Sequence, residues 1–194
     1  MTVEIYSGTS SVRKTGISLA LLGLGWFGLV VSCAPGRIVF TPQSAQGLLQ
    51  GLPDATYPME ITRTGQAPLR NGYYEEEVAP GSANRTRISL GDFQTPSDLN
   101  GDELPDAAVI LIADPGGSGT FYYLSAVINR DGIPLPMATT LLGDRISIAS
   151  LAIDNGEITV TLLTRRPDEP MAAQPTLEIV RRYALREQQL ISLP

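Results

Sequence analysis

Residues 145–165 read RISIASLAIDNGEITVTLLTR, and this stretch decides the fold. Apolar and polar residues alternate along both halves of the stretch, as expected for β-strands with one buried face. The halves meet at Asp154-Asn155-Gly156. Asn-Gly is a strong signal for a two-residue type I′ turn, because both central residues of that turn need a positive φ. The stretch therefore predicts an antiparallel β-hairpin.

Similar short runs recur between turn signals along most of the chain. Ser44 to Leu52 predicts one short helix, which follows an amino-terminal tether. We therefore expect a mainly β fold, or an α+β fold in which the helix packs on the sheet. Hairpins would build an antiparallel sheet or a sandwich. The predicted strands are Tyr57–Thr62, Gly72–Val78, Arg85–Leu90, Ala107–Ala113, Phe121–Asn129, Met137–Leu142, Ile146–Ile153, Glu157–Leu163, Thr176–Tyr183 and Gln189–Leu193.

The amino-terminal segment has the order of a bacterial targeting signal. Positive charge at Arg13 and Lys14 precedes a run without charged residues, from Thr15 to Ala34. Within this run, Val30-Val31-Ser32-Cys33 resembles a lipobox, in which aliphatic and small residues precede the cysteine that becomes lipidated and amino-terminal. The run is also close to the roughly 20 residues that span a bilayer. A retained transmembrane helix is therefore the main alternative, and a plain cleaved signal is a third.

We expect a lipoprotein signal peptide over residues 1–32, lipidation such as palmitate at Cys33, a tether over residues 33–42 and a single β-rich domain over residues 43–194. The anchored protein would lie on the extracytoplasmic face of the cell membrane or the outer membrane. Its partners would be the membrane, through the lipid, and another envelope or membrane-complex protein.

The composition after Cys33 excludes most catalytic chemistry. The chain has no His, its only Lys is Lys14 and its only Trp is Trp26. Ser-His and Cys-His nucleophiles, Schiff-base lysines and His-ligated metals are therefore unavailable. From Cys33 onward, 12 arginines oppose 19 carboxylates, a net side-chain charge of −7. Nucleic acid binds to basic protein surfaces, so it is not an expected partner of this acidic chain.

One segment carries chemistry, Asp98-Leu99-Asn100-Gly101-Asp102-Glu103-Leu104-Pro105-Asp106. Oxygen side chains at alternating positions can converge on a hard cation while the chain curls around it. The segment resembles the calcium loops of FG-GAP repeats. That resemblance implies side-chain ligands from Asp98, Asn100, Asp102 and Asp106 and a backbone carbonyl from Leu104.

Glu103 departs from this pattern, because such loops usually carry Gly at a position of positive φ. We therefore expect backbone strain at Glu103. The alternative interpretation of the segment is an acidic turn, in which Asp and Asn side chains accept hydrogen bonds from their own backbone before a strand begins.

Other polar clusters give weaker signals. The glycines of residues 114–120 lack the lysine and the following helix of a phosphate loop, so a hairpin connection is expected. Glu75-Glu76-Glu77 predicts a solvated strand edge. Carboxylates beside arginines, at Asp144 with Arg145 and at Asp168-Glu169 with Arg165-Arg166, are the candidates for an alternative activity, glycoside cleavage.

From about Tyr57 to Leu190 the chain resembles a family of uncharacterised secreted bacterial proteins, many of them lipoproteins. The resemblance implies an extracytoplasmic β-rich domain without established chemistry. Where relatives often carry adjacent cysteines, this chain has Ala172-Ala173, so a metal or redox role there is not expected. The resemblance rests on Asp98-Leu99-Asn100-Gly101-Asp102, Asp106-Ala107-Ala108-Val109, residues 114–121, Leu142-Gly143-Asp144-Arg145 and Pro167-Asp168-Glu169-Pro170-Met171.

Together these observations predict a non-catalytic, lipid-anchored binding or accessory protein of the bacterial cell envelope. A carboxylate-dependent envelope hydrolase and a small lipoprotein subunit of a membrane complex are the alternatives. Calcium is the one cofactor that the sequence suggests.

Overall fold

The computed structural model describes residues 42–194. The predicted signal peptide, Cys33 and the tether up to residue 41 lie outside the described residues. No helix within residues 42–194 has the length and apolar character needed to cross a bilayer.

The fold is mainly β, as the sequence predicts, with one short helix at its start. Helix α1, Pro42–Gly51, continues into a 3-10 turn, Leu52–Asp54. Every strand pair is antiparallel. The strands are β1 (Thr56–Pro58), β2 (Gln66–Pro68), β3 (Tyr73–Glu77), β4 (Arg85–Ser97), β5 (Asp106–Asp114), β6 (Phe121–Arg130), β7 (Ile133–Asp144), β8 (Ser147–Asp154), β9 (Glu157–Thr164), β10 (Leu177–Arg186) and β11 (Gln189–Leu193).

The five-stranded sheet β3-β4-β5-β6-β7 is the middle layer of the fold. Its central strand β5 is buried on both faces, so it consists almost entirely of apolar residues. One face packs against α1 and the β1-β2 hairpin, and the other packs against the four-stranded sheet β11-β10-β9-β8. The first core includes Leu48, Leu52, Tyr57, Val109 and Leu111, and the second includes Ala108, Ile110, Leu124, Ile158 and Leu162.

Three tight turns connect neighbouring strands through pairs of residues with positive φ. Asn155-Gly156 joins β8 to β9 with φ values of 49° and 76°, which confirms the predicted hairpin. Asp131-Gly132 joins β6 to β7 in the same way. Glu187-Gln188 joins β10 to β11 with φ values of 47° and 65°, although neither residue favours that region.

Three predicted strand boundaries are wrong by four residues or more. The predicted strand Arg85–Leu90 continues to Ser97 as β4, past a register shift between Leu90 and Gln94. The predicted strand Tyr57–Thr62 ends at Pro58, and a turn follows in which the Thr62 hydroxyl donates to the Met59 carbonyl at 2.8 Å. The chain then returns as β2, which was not predicted. Strand β7 begins at Ile133 rather than at Met137 and includes Pro134 and Pro136. It is an edge strand, where a proline nitrogen can face away from the sheet without removing a hydrogen bond between strands.

Candidate metal centre

The acidic segment forms the connection from β4 to β5, at one end of the middle sheet. Asp98 follows the last residue of β4, and Asp106 is the first residue of β5. The β8-β9 turn lies against this connection, because a side chain added at Gly156 would lie 3.4 Å from the Leu99 carbonyl oxygen. A turn of the neighbouring sheet therefore helps to fix the position of the loop.

The Asp98 carboxylate organises the first half of the loop. Its Oδ1 accepts the backbone N–H of Asn100 at 3.1 Å and of Gly101 at 2.7 Å, and its Oδ2 accepts the N–H of Glu103 at 3.0 Å. These bonds curl the chain around the carboxylate. Glu103 has a φ of 65°, so the strain expected at this position is confirmed.

Asn100 and Asp102 extend the same network. The Asn100 Oδ1 accepts the Asp102 N–H at 2.8 Å, and its Nδ2 donates to the Asp102 Oδ2 at 2.9 Å. The other Asp102 oxygen, Oδ1, accepts the Leu104 N–H at 2.8 Å. Asn100, Asp102 and Leu104 are all exposed. The turn hydrogen bonds of the alternative interpretation are therefore present.

Asp106 differs from the other loop acids because it is fully buried. Its Oδ2 accepts the Leu99 N–H at 3.0 Å, and its Oδ1 accepts the Asn129 N–H at 2.8 Å. Burial raises the pKa of the Asp106 carboxyl. The two backbone donors oppose that rise, and the nearby Asp102 and Asp98 carboxylates add to it. A cation here would reverse the rise by favouring the ionised form.

Asn129 is a site residue that the sequence analysis missed. It is buried at the end of β6, and its Nδ2 donates to the Pro105 carbonyl at 3.1 Å. Its Oδ1 accepts the Gly132 N–H at 2.8 Å, which ties the loop to the β6-β7 turn. Asn129 is 23 positions from Asp106, so its contact with the acidic loop leaves no local pattern in the sequence. The adjacent Asp131-Gly132 turn is the one nearby signal.

Three of the predicted ligand residues converge. Carboxylate oxygens of Asp98, Asp102 and Asp106 all lie within 4.8 Å of one another. Oxygens that bind one Ca²⁺ at 2.3–2.6 Å lie at most about 5 Å apart, so these oxygens can share an ion. Within residues 42–194, no arginine forms an ion pair with any of the three. The residues present therefore fit a metal ion of the oxygen-binding kind.

The remaining polar candidates stay apart from this cluster. Glu75 lies on β3, an edge strand, and pairs with Arg87 at 2.9 Å across to β4. The glycine-rich residues 115–120 connect β5 to β6, as expected. Glu169 pairs with Arg166 at 3.2 Å in the loop between β9 and β10. Asp144 lies 3.4 Å from Arg145 at the end of β7.

Comparison of the chain with protein-family models, with curated proteins and with solved structures gives no match, so the geometry above is what bears on function.

Proposed function

We propose that the protein is a non-catalytic, lipid-anchored binding or accessory protein of the bacterial cell envelope, and that its β domain holds Ca²⁺ in the loop of residues 98–106. The lipid would be attached at Cys33, after removal of residues 1–32. The domain would then face away from the cytoplasm, on the cell membrane or the outer membrane.

The convergence of three carboxylates carries the calcium part of the proposal. Asp98, Asp102 and Asp106 place negative oxygens within 4.8 Å of one another without an arginine partner among the described residues. Such a cluster is destabilised by mutual repulsion, which a divalent cation would offset. Extracellular calcium modules bind in the range of 10⁻⁴–10⁻³ M, which suits a small, partly exposed site.

The ligands would come from both halves of the loop. Asp98, Asp102 and Asp106 would supply carboxylate oxygens, and Asn100 and Leu104 would supply amide and carbonyl oxygens. The Asn100 Oδ1 accepts a backbone N–H from Asp102, so an ion would compete with that hydrogen bond. The bound ion would link β4 to β5 by neutralising the loop, and it would do no chemistry on a substrate.

The two alternatives remain distinct from this proposal. A carboxylate-dependent hydrolase needs two carboxylates facing one cleft. The described cleft between the β7-β8 connection and β6 has no carboxylate among its described lining residues. A small lipoprotein subunit of a membrane complex needs a protein partner, which co-purification from solubilised membranes would identify.

The calcium proposal is tested by the melting temperature of the full chain with calcium and with a chelator. At ten times the dissociation constant, an ion that binds only the folded state adds about 1.4 kcal/mol. For a domain of this size that raises the melting temperature by about 3–6 °C. Asp102→Ala should remove the shift, whereas Asp92→Ala, an exposed acid of β4 outside the loop, should keep it. Identical wild-type curves with calcium and chelator would refute calcium binding.

The anchor is tested separately by metabolic labelling with a fatty acid. The wild-type chain should incorporate label, and Cys33→Ser should lose it and keep residues 1–32. Label on the Cys33→Ser chain would contradict the lipobox interpretation. Labelling and melting are independent, so either half of the proposal can fail alone.

A further inference from the structure

A cleft of about 520 Å³ opens where the β7-β8 connection approaches β6 and the loop between β9 and β10. This volume is within the range of small-molecule pockets. Its wall combines apolar surface from Tyr122 and Leu163 with polar groups from Thr120, Ser147 and Gln174. Among the described residues that line the cleft, Arg145 is the cationic side chain and none carries a carboxylate.

The backbone of Arg145 is held in a strained conformation. Its φ is 49°, a region that costs a non-glycine residue about 1 kcal/mol or more. The Arg145 N–H donates to the Thr120 carbonyl at 2.7 Å, and the Arg165 Nη1 donates to the Arg145 carbonyl at 2.7 Å. Arg165 also donates to the Ala173 carbonyl. The backbone of the connection is therefore held from both sides.

The Arg145 side chain carries an unsatisfied donor. Its Nε is buried and has no hydrogen-bond partner within residues 42–194. Asp144 Oδ1 lies 3.4 Å away, which allows a charge interaction, but that oxygen accepts the Thr120 N–H at 2.9 Å. A buried donor without an acceptor costs about 1–3 kcal/mol.

The local charge favours an anion. Arg145 and Arg165 bring two cationic groups to the connection, and the Asp144 Oδ1 lies 3.4 Å from the Arg145 Nε. Within the described residues, Arg165 donates to carbonyl oxygens and forms no ion pair, so its charge is not cancelled there. The two Nη atoms of an arginine can together bind two oxygens of one carboxylate or phosphate group.

We propose that this cleft binds a small organic anion, with its carboxylate or phosphate group on Arg145 and an apolar or ring-shaped body against Tyr122 and Leu163. Thr120, Ser147 and Gln174 offer further hydrogen bonds to polar groups on that body. Arg165 acts as a positioning residue through the Arg145 carbonyl. The inference adds a ligand class to the proposed binding role, and it does not require the metal at the acidic loop.

The test uses the purified, ¹⁵N-labelled full chain and follows the Arg145 Nε–H signal by NMR, with chelator present. The probes are benzoate, phenyl phosphate and inorganic phosphate, and benzyl alcohol is the neutral control. Benzoate or phenyl phosphate should move the Arg145 signal saturably, with a dissociation constant below about 1 mM. The stronger of the two identifies the preferred anion. Inorganic phosphate should bind more weakly because it lacks the apolar body.

Variants separate recognition from general charge attraction. Arg145→Lys keeps the charge but loses the paired donors, so benzoate and phenyl phosphate should bind at least about tenfold more weakly. Binding to this variant is measured through the NMR signal of the Ser147 amide. Arg130→Gln removes an exposed arginine from the other end of β6 and should bind as wild type. If Arg145→Lys does not fold, Ser147→Asp, a change at an exposed position in the cleft wall, should repel both probes instead.

The proposal is overturned if neither aromatic anion moves the Arg145 signal at concentrations up to about 10 mM. It is also overturned if benzyl alcohol binds as well as benzoate, or if Arg130→Gln weakens binding as much as the cleft variant. Because chelator is present throughout, a negative result here would leave the calcium and lipid tests unaffected.

Discussion

Replacement of Asp106 by alanine should destabilise the domain even without calcium. The carboxylate accepts the N–H groups of Leu99 and Asn129, and the loss of this acceptor leaves both donors without a partner at a buried position. Each such donor costs about 1–3 kcal/mol. Removal of a buried charge with a raised pKa offsets part of this cost. We therefore expect a net loss of about 2–4 kcal/mol.

Urea unfolding in the presence of chelator measures this loss directly, through the midpoint and slope of the transition. Asp106→Asn keeps one acceptor oxygen and should lose about half as much as Asp106→Ala. Asp92→Ala, at an exposed position of β4, should stay within about 0.5 kcal/mol of wild type. If Asp106→Ala costs no more than Asp92→Ala, the carboxylate does not hold the loop to β6, and the account of the site is wrong.

The backbone and the charges give three further predictions. Glu103→Gly should raise the melting temperature in chelator, because glycine adopts the positive φ at this position without strain. The expected net gain in stability is about 0.5–1 kcal/mol after the entropic cost of glycine is subtracted. An unchanged melting temperature would mean that the loop adopts another conformation. Replacing Glu187-Gln188 with Asn-Gly should raise the urea midpoint, with a gain of about 1 kcal/mol, because both positions have positive φ; a lower midpoint would argue against the turn. In chelator, carbon NMR should show that the pKa of the Asp106 carboxyl lies above the usual value for aspartate, because burial disfavours the ionised form. Because the pKa of the Asp106 carboxyl is higher in the folded than in the unfolded protein, this group stabilises the fold at pH values below its unfolded pKa. That stability is lost as the pH rises through the folded pKa. Calcium should lower the pKa of Asp106, and a titration that calcium leaves unchanged would contradict metal binding at this residue.

The sequence was sufficient for the fold where the turn chemistry is local. Asn155-Gly156 identifies its hairpin because the two residues tolerate positive φ. The turn at Glu187-Gln188 has the same geometry without favourable residues, so nothing in those two positions predicts it. Pro134 and Pro136 are unfavourable inside a sheet, and only the strand order shows that β7 is an edge where proline is accepted.

The candidate metal site was predictable only in part, for a similar reason. The alternation of Asp98, Asn100 and Asp102 is a local pattern, and its curled backbone follows from short-range hydrogen bonds. The burial of Asp106 and its bond from Asn129 depend on the pairing of β5 with β6. The burial of the Arg145 Nε likewise depends on contacts between loops that are distant in sequence. Such long-range contacts leave no pattern in one sequence.

The central claim is that the acidic loop binds calcium, and equilibrium dialysis with metal analysis tests it most directly. The wild-type full chain should retain one Ca²⁺ per chain at millimolar-range free calcium, on the order of extracellular sites. Asp98→Ala and Asp102→Ala should retain none at the same concentration, and Asp92→Ala should retain one. Wild-type protein that retains no more calcium than Asp98→Ala would contradict the claim.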